Sequence, residues 1–179
     1  NQRPINQHWS WDKILRSIFI KQADVLQGIY FFENHFSESV IKENVEYYEP
    51  LTVHESSLSP SVHSILFSKI NNHKKAYEMY LRTARLDLDD YNHEVHEGLH
   101  ITSMAGTWLS VVEGFAGIRA NEKGLEFKPI VPEQWQSYCF NIIYRNQKVK
   151  FDIKKKSSVL TNYGDQTVNI STGSKAYKL

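Results

Sequence analysis

The stretch Thr52–Pro60, with the sequence Thr-Val-His-Glu-Ser-Ser-Leu-Ser-Pro, concentrates side chains that could do chemistry. It places hydroxyls, an imidazole and a carboxylate directly before an apolar helical pattern that begins at Val62. A helix start has unpaired N–H groups and the positive end of the helix dipole, so this turn could bind a phosphate or a sugar-derived oxyanion. The alternative is structural: Ser57 or Ser59 caps the helix, and Pro60 takes its first position. The pattern alone leaves both interpretations open.

A second stretch, His96–His100, formally matches the H-E-x-x-H pattern of zinc proteases. That mechanism needs both histidines on one face of a continuous helix, with Glu97 activating a metal-bound water. Gly98 disfavours such a helix, and the acidic loop before it indicates that a helix begins here rather than earlier. We therefore interpret His100 as a first-turn residue, where an imidazolium could meet an anion together with the serine turn. No metal is expected at this site.

Charge and composition exclude several classes of protein. With 21 basic and 20 acidic residues the net charge is +1, so no basic patch predicts nucleic-acid binding. No apolar run is long enough to span a bilayer, and the single cysteine, Cys139, excludes a disulfide framework. The first residues form neither a signal peptide nor an initiator methionine, which predicts a stretch from within a longer, cytoplasmic chain. An aromatic content of 13% suits a protein that handles carbohydrates.

Helical periodicity predicts an all-α first block that positions both stretches. Helices are predicted over residues 11–32, 37–48, 60–70, 74–85 and 98–115. In the first of these, Leu15 and Ile18 belong to an apolar face on which Gln22 also falls. A buried amide needs partners, so Gln22 should join a helix-packing network or face a polar cavity. Ser37 is expected to cap the second helix, and Asn71–His73 should form a turn.

The predicted fifth helix carries two further expectations about packing. Its inward face should include Leu99, Ala105, Trp108, Leu109 and Val112. Gly106 should let a neighbouring backbone approach this helix closely, because glycine has no Cβ. Five consecutive helices fit either an α-hairpin bundle or part of an α/α toroid, and the pattern does not separate the two.

After Ala120 the hydrophobic period changes from 3.6 to 2, which predicts a β block. Strands are predicted over residues 124–131, 138–145 and 149–154, with shorter ones near 159–160, 168–170 and 176–179. Val149, Phe151 and Ile153 should face one way, and Asn146-Gln147 should form a tight hairpin turn. A helical block followed by an antiparallel β block predicts two domains, residues 1–119 and 120–179.

Four stretches of the sequence closely resemble the C-terminal third of glycoside hydrolase family 65. They are residues 21–25, 52–60, 84–92 and 98–108, and the likeness continues through residues 125–129 and 132–135. Four long motifs in the right order are more specific than any single one, and the likeness covers nearly the whole chain. The resemblance implies a mainly α chain followed by β: the end of an (α/α)6 barrel and then a small antiparallel β-sandwich.

The same resemblance implies an inverting phosphorylase of maltose-like α-glucosides, in which inorganic phosphate attacks the anomeric carbon and releases β-glucose 1-phosphate. By matching motif, Lys21 and Gln22 would hydrogen-bond the glucosyl unit, and Ser56, Ser57 and His100 would bind phosphate. The general acid would be a glutamate upstream of this chain, so the fragment alone should be inactive. Phosphate is the co-substrate and no cofactor is implied. The expected partners are an α-linked glucose disaccharide, the upstream part of the barrel and a second copy in a homodimer, with no nucleic acid or membrane.

Glu55 leaves other functions open. A carboxylate within a phosphate-binding turn repels the dianion, unless it points away or pairs with His54 or another cation. Hydrolases of the same family would use this carboxylate as the general base, about 6.5–9.5 Å from the acid in an inverting enzyme. A third hypothesis, motivated by the missing general acid, is a non-catalytic accessory module. The linkage of the disaccharide stays open as well.

Overall fold

The computed structural model describes Ile5 and residues 8–91 and 93–179, which fall into two compact units, Asn1–Ser110 and Val111–Leu179. Asn92, the last residue of the predicted acidic loop, lies outside the described residues. The first unit is helical and the second consists mainly of β-strands. Within the described part of the chain, no helix has the length and apolar character needed to cross a bilayer.

The prediction of one long helix over residues 11–32 is wrong. The structure has a short helix α1 (Trp11–Leu15) and a separate helix α2 (Asp24–Phe31), with an irregular segment of turns and bends between them. In that segment Ile20 forms an isolated parallel bridge with Thr52, and its backbone bonds Leu51 and Val53. The predicted apolar face does not form, because Leu15 is 76% exposed and Ile18 is 70% exposed.

The next three helices follow the sequence pattern closely. They are α3 (Glu38–Tyr48), α4 (Ser59–Lys69) and α5 (His73–Ala84). Ser37 caps α3 as predicted, its hydroxyl accepting the N–H of Val40 at 3.3 Å. Asn72 caps α5 in the same way, its side chain accepting the N–H of Lys75. Because the connection from Lys69 to His73 is short, α4 and α5 are neighbours that pack together.

The last helix, α6 (Ile101–Leu109), begins later than predicted and continues as a π-helical segment, Ser110–Phe115. The prediction for its inward face is wrong at Leu99, which is 63% exposed, and at Trp108, which is 48% exposed, but Val112 is buried as predicted. The buried positions of α6 are Ser103 and Gly106, which are small. A Cβ at Gly106 would lie 2.6 Å from Oγ of Ser61 on α4, so the close neighbour of this glycine is a serine side chain rather than the predicted backbone.

The β unit contains two sheets. Its strands are β1 (Arg119–Asn121), β2 (Gly124–Glu126), β3 (Ser137–Tyr144), β4 (Gln147–Lys154), β5 (Ser157–Asn162), β6 (Asn169–Thr172) and β7 (Lys175–Lys178). One sheet has the order β1-β2-β6-β7 and the other the order β3-β4-β5. Pairing is antiparallel except between β2 and β6, which is parallel and departs from the purely antiparallel expectation.

The core of the β unit is formed by residues that alternate along the strands. Val149, Phe151 and Ile153 of β4 are buried as predicted, and they share a cluster with Leu125 and Ile170 of the other sheet. The β3–β4 turn lies one residue earlier than predicted, at Arg145-Asn146, whose φ angles of 48° and 62° match a tight hairpin turn.

Candidate functional site

The hydroxyl-rich turn leads directly into α4, but its serines do not cap that helix. The N-cap is Leu58, with no side-chain cap, and its N–H donates to the Ser56 hydroxyl at 3.3 Å. Ser59 lies inside the helix, and its buried hydroxyl accepts the N–H of Ala23 at 3.0 Å. The structural alternative, in which Ser57 or Ser59 caps α4, is therefore wrong. The N–H of Ser59 donates to the Ser56 carbonyl oxygen at 3.4 Å, and Pro60 has no N–H, so the turn offers an anion mainly its serine hydroxyls and the helix dipole.

The segment Ile20–Ala23 runs beside this turn. It is held by the Ile20–Thr52 bridge on one side and by the Ala23–Ser59 hydrogen bond on the other. Gln22 does not lie on an apolar helix face, because it precedes α2; its amide nitrogen donates to Asp24 Oδ1 at 2.9 Å. The structure therefore brings Lys21 and Gln22 next to the turn through backbone pairing rather than through helix packing.

Lys21 and Glu55 form an ion pair across the two segments. Their charged atoms, Nζ and Oε2, lie 3.0 Å apart, and the side chains are 55% and 26% exposed. The sequence left open whether Glu55 pairs with His54 or with another cation. The His54 ring is instead buried and its pKa is lowered, first by desolvation, to about 2, so it stays neutral and cannot serve as the counter-ion. The cation beside Glu55 is Lys21.

His100 is the N-cap residue of α6, and two carboxylates hold its ring. Nδ1–H donates to Asp87 Oδ1 at 2.6 Å, while the backbone N–H donates to Asp87 Oδ2 at 2.9 Å. Nε2 lies 3.5 Å from Glu94 Oε2. The Asp87 hydrogen bond, with a smaller contribution from Glu94, raises the pKa of His100, and the same bond lowers the pKa of Asp87. The two carboxylates thereby favour the imidazolium form of His100 at the start of α6.

A hydroxyl network joins the start of α6 to the turn. Ser103, in the first turn of α6, has its hydroxyl 2.8 Å from the Thr83 hydroxyl and 3.1 Å from the Thr83 carbonyl oxygen. The same hydroxyl lies 3.5 Å from the carbonyl oxygen of Ser57. Ser103 lies three residues after His100, so the first turn of α6 contacts the backbone of the serine turn. The structure thus brings the serine turn and the α6 start together.

The H-E-x-x-H geometry is not formed. Val95–Glu97 is a single turn of 3-10 helix, and Gly98 has a φ of 125°, which ends that turn before α6 begins. His96 is exposed beside Glu97, whereas His100 is held by Asp87 and Glu94. The two histidines therefore do not share the helix face that a zinc protease requires.

Several residues of this region are not evident from the sequence. Asp87 belongs to the acidic stretch 87–92, which the sequence predicts as a solvated or hydrogen-bonded loop rather than a Ca²⁺ site, and its specific partner is His100. Ser103 and Thr83 look like ordinary helix residues, yet both are buried. Buried hydroxyls require hydrogen-bond partners, and here those partners connect two helices and the turn. No spacing rule signals contacts between positions so far apart in sequence.

The fold class is mainly α followed by β: a helical unit and then a unit of two β-sheets. Two family models match this chain: the glycosyl hydrolase family 65 central catalytic domain over residues 1–109 and the C-terminal domain of the same family over residues 118–179. The chain belongs to glycosyl hydrolase family 65.

Several phosphorylases are similar in sequence to this chain over most of its length. The maltose phosphorylase of Bacillus subtilis is 59% identical over 155 residues, which is 87% of this chain and 20% of that protein. The α,α-trehalose phosphorylase of Thermoanaerobacter brockii is 40% identical over 95% of this chain and 22% of its own length. The chain thus spans about a fifth of the length of these relatives.

A solved structure supports the fold directly. The "Putative kojibiose phosphorylase from human microbiome" superposes with a TM-score of 0.91 at 40% sequence identity, covering 98% of this chain and 26% of that one. The predicted fold class, the end of an (α/α)6 barrel followed by a small β-sandwich, is confirmed. The domain boundary at residues 119 and 120 stays a prediction.

Proposed function

We propose that this chain is the C-terminal part of an inverting phosphorylase that transfers a glucosyl unit from a maltose-type disaccharide to inorganic phosphate. The observation that supports this most is the contact between the serine turn at the start of α4 and Ser103 in the first turn of α6, the helix that His100 caps with a raised pKa. Helix starts and imidazolium groups both stabilise anions, and their charge-assisted hydrogen bonds suit a phosphate dianion. The 59% identity to a maltose phosphorylase supports the choice of disaccharide.

In this proposal the described residues bind and orient two substrates. Ser56, Ser57 and His100 hold phosphate so that one of its oxygens faces the anomeric carbon. Lys21 and Gln22 hydrogen-bond the glucosyl unit, and the Ile20–Thr52 bridge holds their segment beside the serine turn. Fixing both reactants in position supplies much of the rate enhancement that such a transfer needs.

The reaction is a single displacement. The phosphate oxygen forms a bond to the anomeric carbon while the α-glycosidic C–O bond breaks, so the configuration inverts to β-glucose 1-phosphate. The leaving sugar hydroxyl receives a proton from a general acid, which we place upstream of residues 1–179 as a glutamate. We also propose that the enzyme works as a cytoplasmic homodimer, with the upstream part of the barrel completing the active site.

A second candidate is an inverting α-glucosidase with Glu55 as the general base. The partly exposed position of Glu55 within the turn favours it, since a water could reach this carboxylate. The Lys21 ion pair argues against it, because the ammonium 3.0 Å away already occupies the carboxylate that would have to bind the attacking water. The phosphorylase is therefore the better-supported function.

The test uses the full-length enzyme with maltose, with and without inorganic phosphate. We expect β-glucose 1-phosphate and glucose in equal amounts when phosphate is present, and negligible glucose without it. Glucose release that does not depend on phosphate would overturn the proposal in favour of the hydrolase. No turnover of any α-glucoside under either condition would favour a non-catalytic role. Parallel assays with trehalose and kojibiose identify the linkage.

A further inference from the structure

Two buried imidazoles lie directly behind the serine turn. His63, on α4, is fully buried, and His54, just before the turn, is 7% exposed. Their ring centroids are 4.5 Å apart, with the planes at 67° in an edge-to-face arrangement. The ring of Phe67 packs near the other side of His63, with centroids 6.2 Å apart. The proposed reaction does not use either histidine.

The environment keeps both rings neutral. Within the described residues, all four ring nitrogens are buried and make no hydrogen bond. The charged groups that act on the pair are the side chains of Arg82 and Lys75, both on α5 and both cationic. Desolvation is the largest cause that lowers the pKa of His54 to about 2 and that of His63 to about 3. Polar groups buried at such a cost call for an explanation beyond filling space.

His54 also has an unusual backbone. Its φ of 56° is in the left-handed region, which few residues other than glycine adopt, although histidine is among the more frequent exceptions. This conformation redirects the chain immediately before Glu55, Ser56 and Ser57. The guanidinium of Arg82 donates to the His54 carbonyl oxygen at 3.0 Å. One residue is thus held from α5 through its carbonyl and from α4 through its ring.

We propose that the His54–His63 contact positions the phosphate-binding turn by holding the left-handed residue that directs the chain into it. This inference rests on the proposed phosphorylase function. Neither imidazole touches substrate, so both are positioning residues. The contact fixes the path that the backbone of residues 55–57 takes before it enters α4, and hence where the serine hydroxyls meet phosphate.

The test compares variants of the full-length enzyme in maltose phosphorolysis. His63→Leu places an apolar side chain in the core and removes the edge-to-face partner of His54. We expect the KM for phosphate to rise about tenfold, the change that follows when one charge-assisted hydrogen bond is misplaced. The KM for maltose should change less than about twofold, since the segment that carries Lys21 is held by its own backbone bridge.

A matched control separates positioning from general loss of stability. Ile65→Val lies on the same helix at a site with 1% exposure, so it loosens the core of α4 without touching the turn. It should lower the unfolding temperature and leave both KM values unchanged. His54→Asn is a second variant that tolerates the left-handed backbone and removes the ring. It should raise the phosphate KM in the same way, and it replaces His63→Leu if that variant does not fold.

The outcomes are distinct. A selective rise in phosphate KM in either histidine variant supports the inference. Equal changes in both KM values, or a change in stability alone that matches Ile65→Val, overturn it. Wild-type activity that does not depend on phosphate overturns the proposed function itself, and this is read from the unmodified enzyme before any variant is compared.

Discussion

The ammonium of Lys21 lies 3.0 Å from the carboxylate of Glu55, across 34 positions of sequence. The pair places one positive and one negative charge beside a turn that is proposed to bind a dianion. Because the two charges offset each other, phosphate would meet little net repulsion from Glu55. The pair also links the segment proposed to bind glucose with the turn proposed to bind phosphate.

Removing Lys21 and removing Glu55 should affect phosphate binding differently. Lys21→Met leaves Glu55 uncompensated, so the KM for phosphate should rise by about tenfold or more from like-charge repulsion. Glu55→Gln removes that repulsion and should keep phosphate-dependent turnover. In the double variant the phosphate KM should return toward the wild-type value, although the maltose KM stays raised if Lys21 binds glucose. Steady-state kinetics with each substrate varied in turn measure all three.

The same Glu55→Gln variant distinguishes the two candidate functions. If Glu55 is the general base of a hydrolase, the amide cannot accept the proton and turnover should be lost altogether. Loss of both phosphate-dependent and phosphate-independent sugar release, with the unfolding temperature unchanged, would therefore contradict the phosphorylase assignment.

If His100 binds phosphate as proposed, Asp87 should control the pH range in which it does so. Its hydrogen bond raises the pKa of His100, so the imidazolium persists above the ordinary value of 6.5. In Asp87→Asn that pKa should fall back, and the phosphate KM should rise at pH 7.5 while changing little at pH 5.5. The ionisation of phosphate itself is the same for both enzymes and cancels in the comparison. The measurement is phosphate KM against pH for the two proteins.

A matched control lies in the same loop. Asp89 pairs with Arg85 at the surface and does not contact His100. Asp89→Asn makes the same chemical change, so its pH profile should overlay that of the wild type. A profile that shifts equally in both variants would mean that the loop acts through its overall charge rather than through the Asp87–His100 bond.

The sequence predicts elements whose ends are encoded locally. Helix α3 begins after its capping residue Ser37, and the α4–α5 turn occurs where Asn71 and Asn72 interrupt the apolar pattern. The first predicted helix fails because Ile20 pairs with Thr52, a contact between distant positions that overrides local helical periodicity. The inward face of α6 is misassigned for a related reason. Small residues face α4 there, and hydrophobicity alone does not signal such packing.

The residues of the candidate site show the same difference between local signals and long-range contacts. The sequence locates the serine turn and His100 because their residue types stand out at a helix start. It does not locate Asp87, Ser103 or the Lys21–Glu55 pair, since each of these contacts joins segments that are far apart. The family resemblance supplied Lys21 and Gln22, which no spacing rule would select. Their roles in binding stay predictions.

The same substitution, glycine to alanine, should change the stability of the protein in opposite directions at two helical glycines. At Gly106 an added Cβ would lie 2.6 Å from Oγ and 2.7 Å from Cβ of Ser61, so α4 and α6 must move apart. Gly106→Ala should therefore destabilise the protein by about 1–3 kcal/mol. At Gly28, within α2, nothing lies within 4 Å of the added Cβ, so Gly28→Ala should stabilise by about 0.5–1 kcal/mol. Urea unfolding of both variants tests the pair, and similar effects at the two sites would contradict the close packing of α4 and α6.

The buried histidine pair should make the protein sensitive to acid. Both folded-state pKa values, about 2 for His54 and about 3 for His63, lie below the ordinary value of 6.5. Between pH 6.5 and 3 the unfolded chain therefore binds protons that the folded protein excludes, and the free energy of unfolding falls as pH falls. Each group can contribute up to about 1.4 kcal/mol per pH unit in this window.

His63→Leu should make the decline in the free energy of unfolding between pH 6.5 and 4.5 shallower, measured as the urea midpoint at several pH values. His96→Gln removes an exposed histidine and should leave the slope unchanged. An unaltered slope in His63→Leu would show that the pair is hydrated or protonated in the folded state.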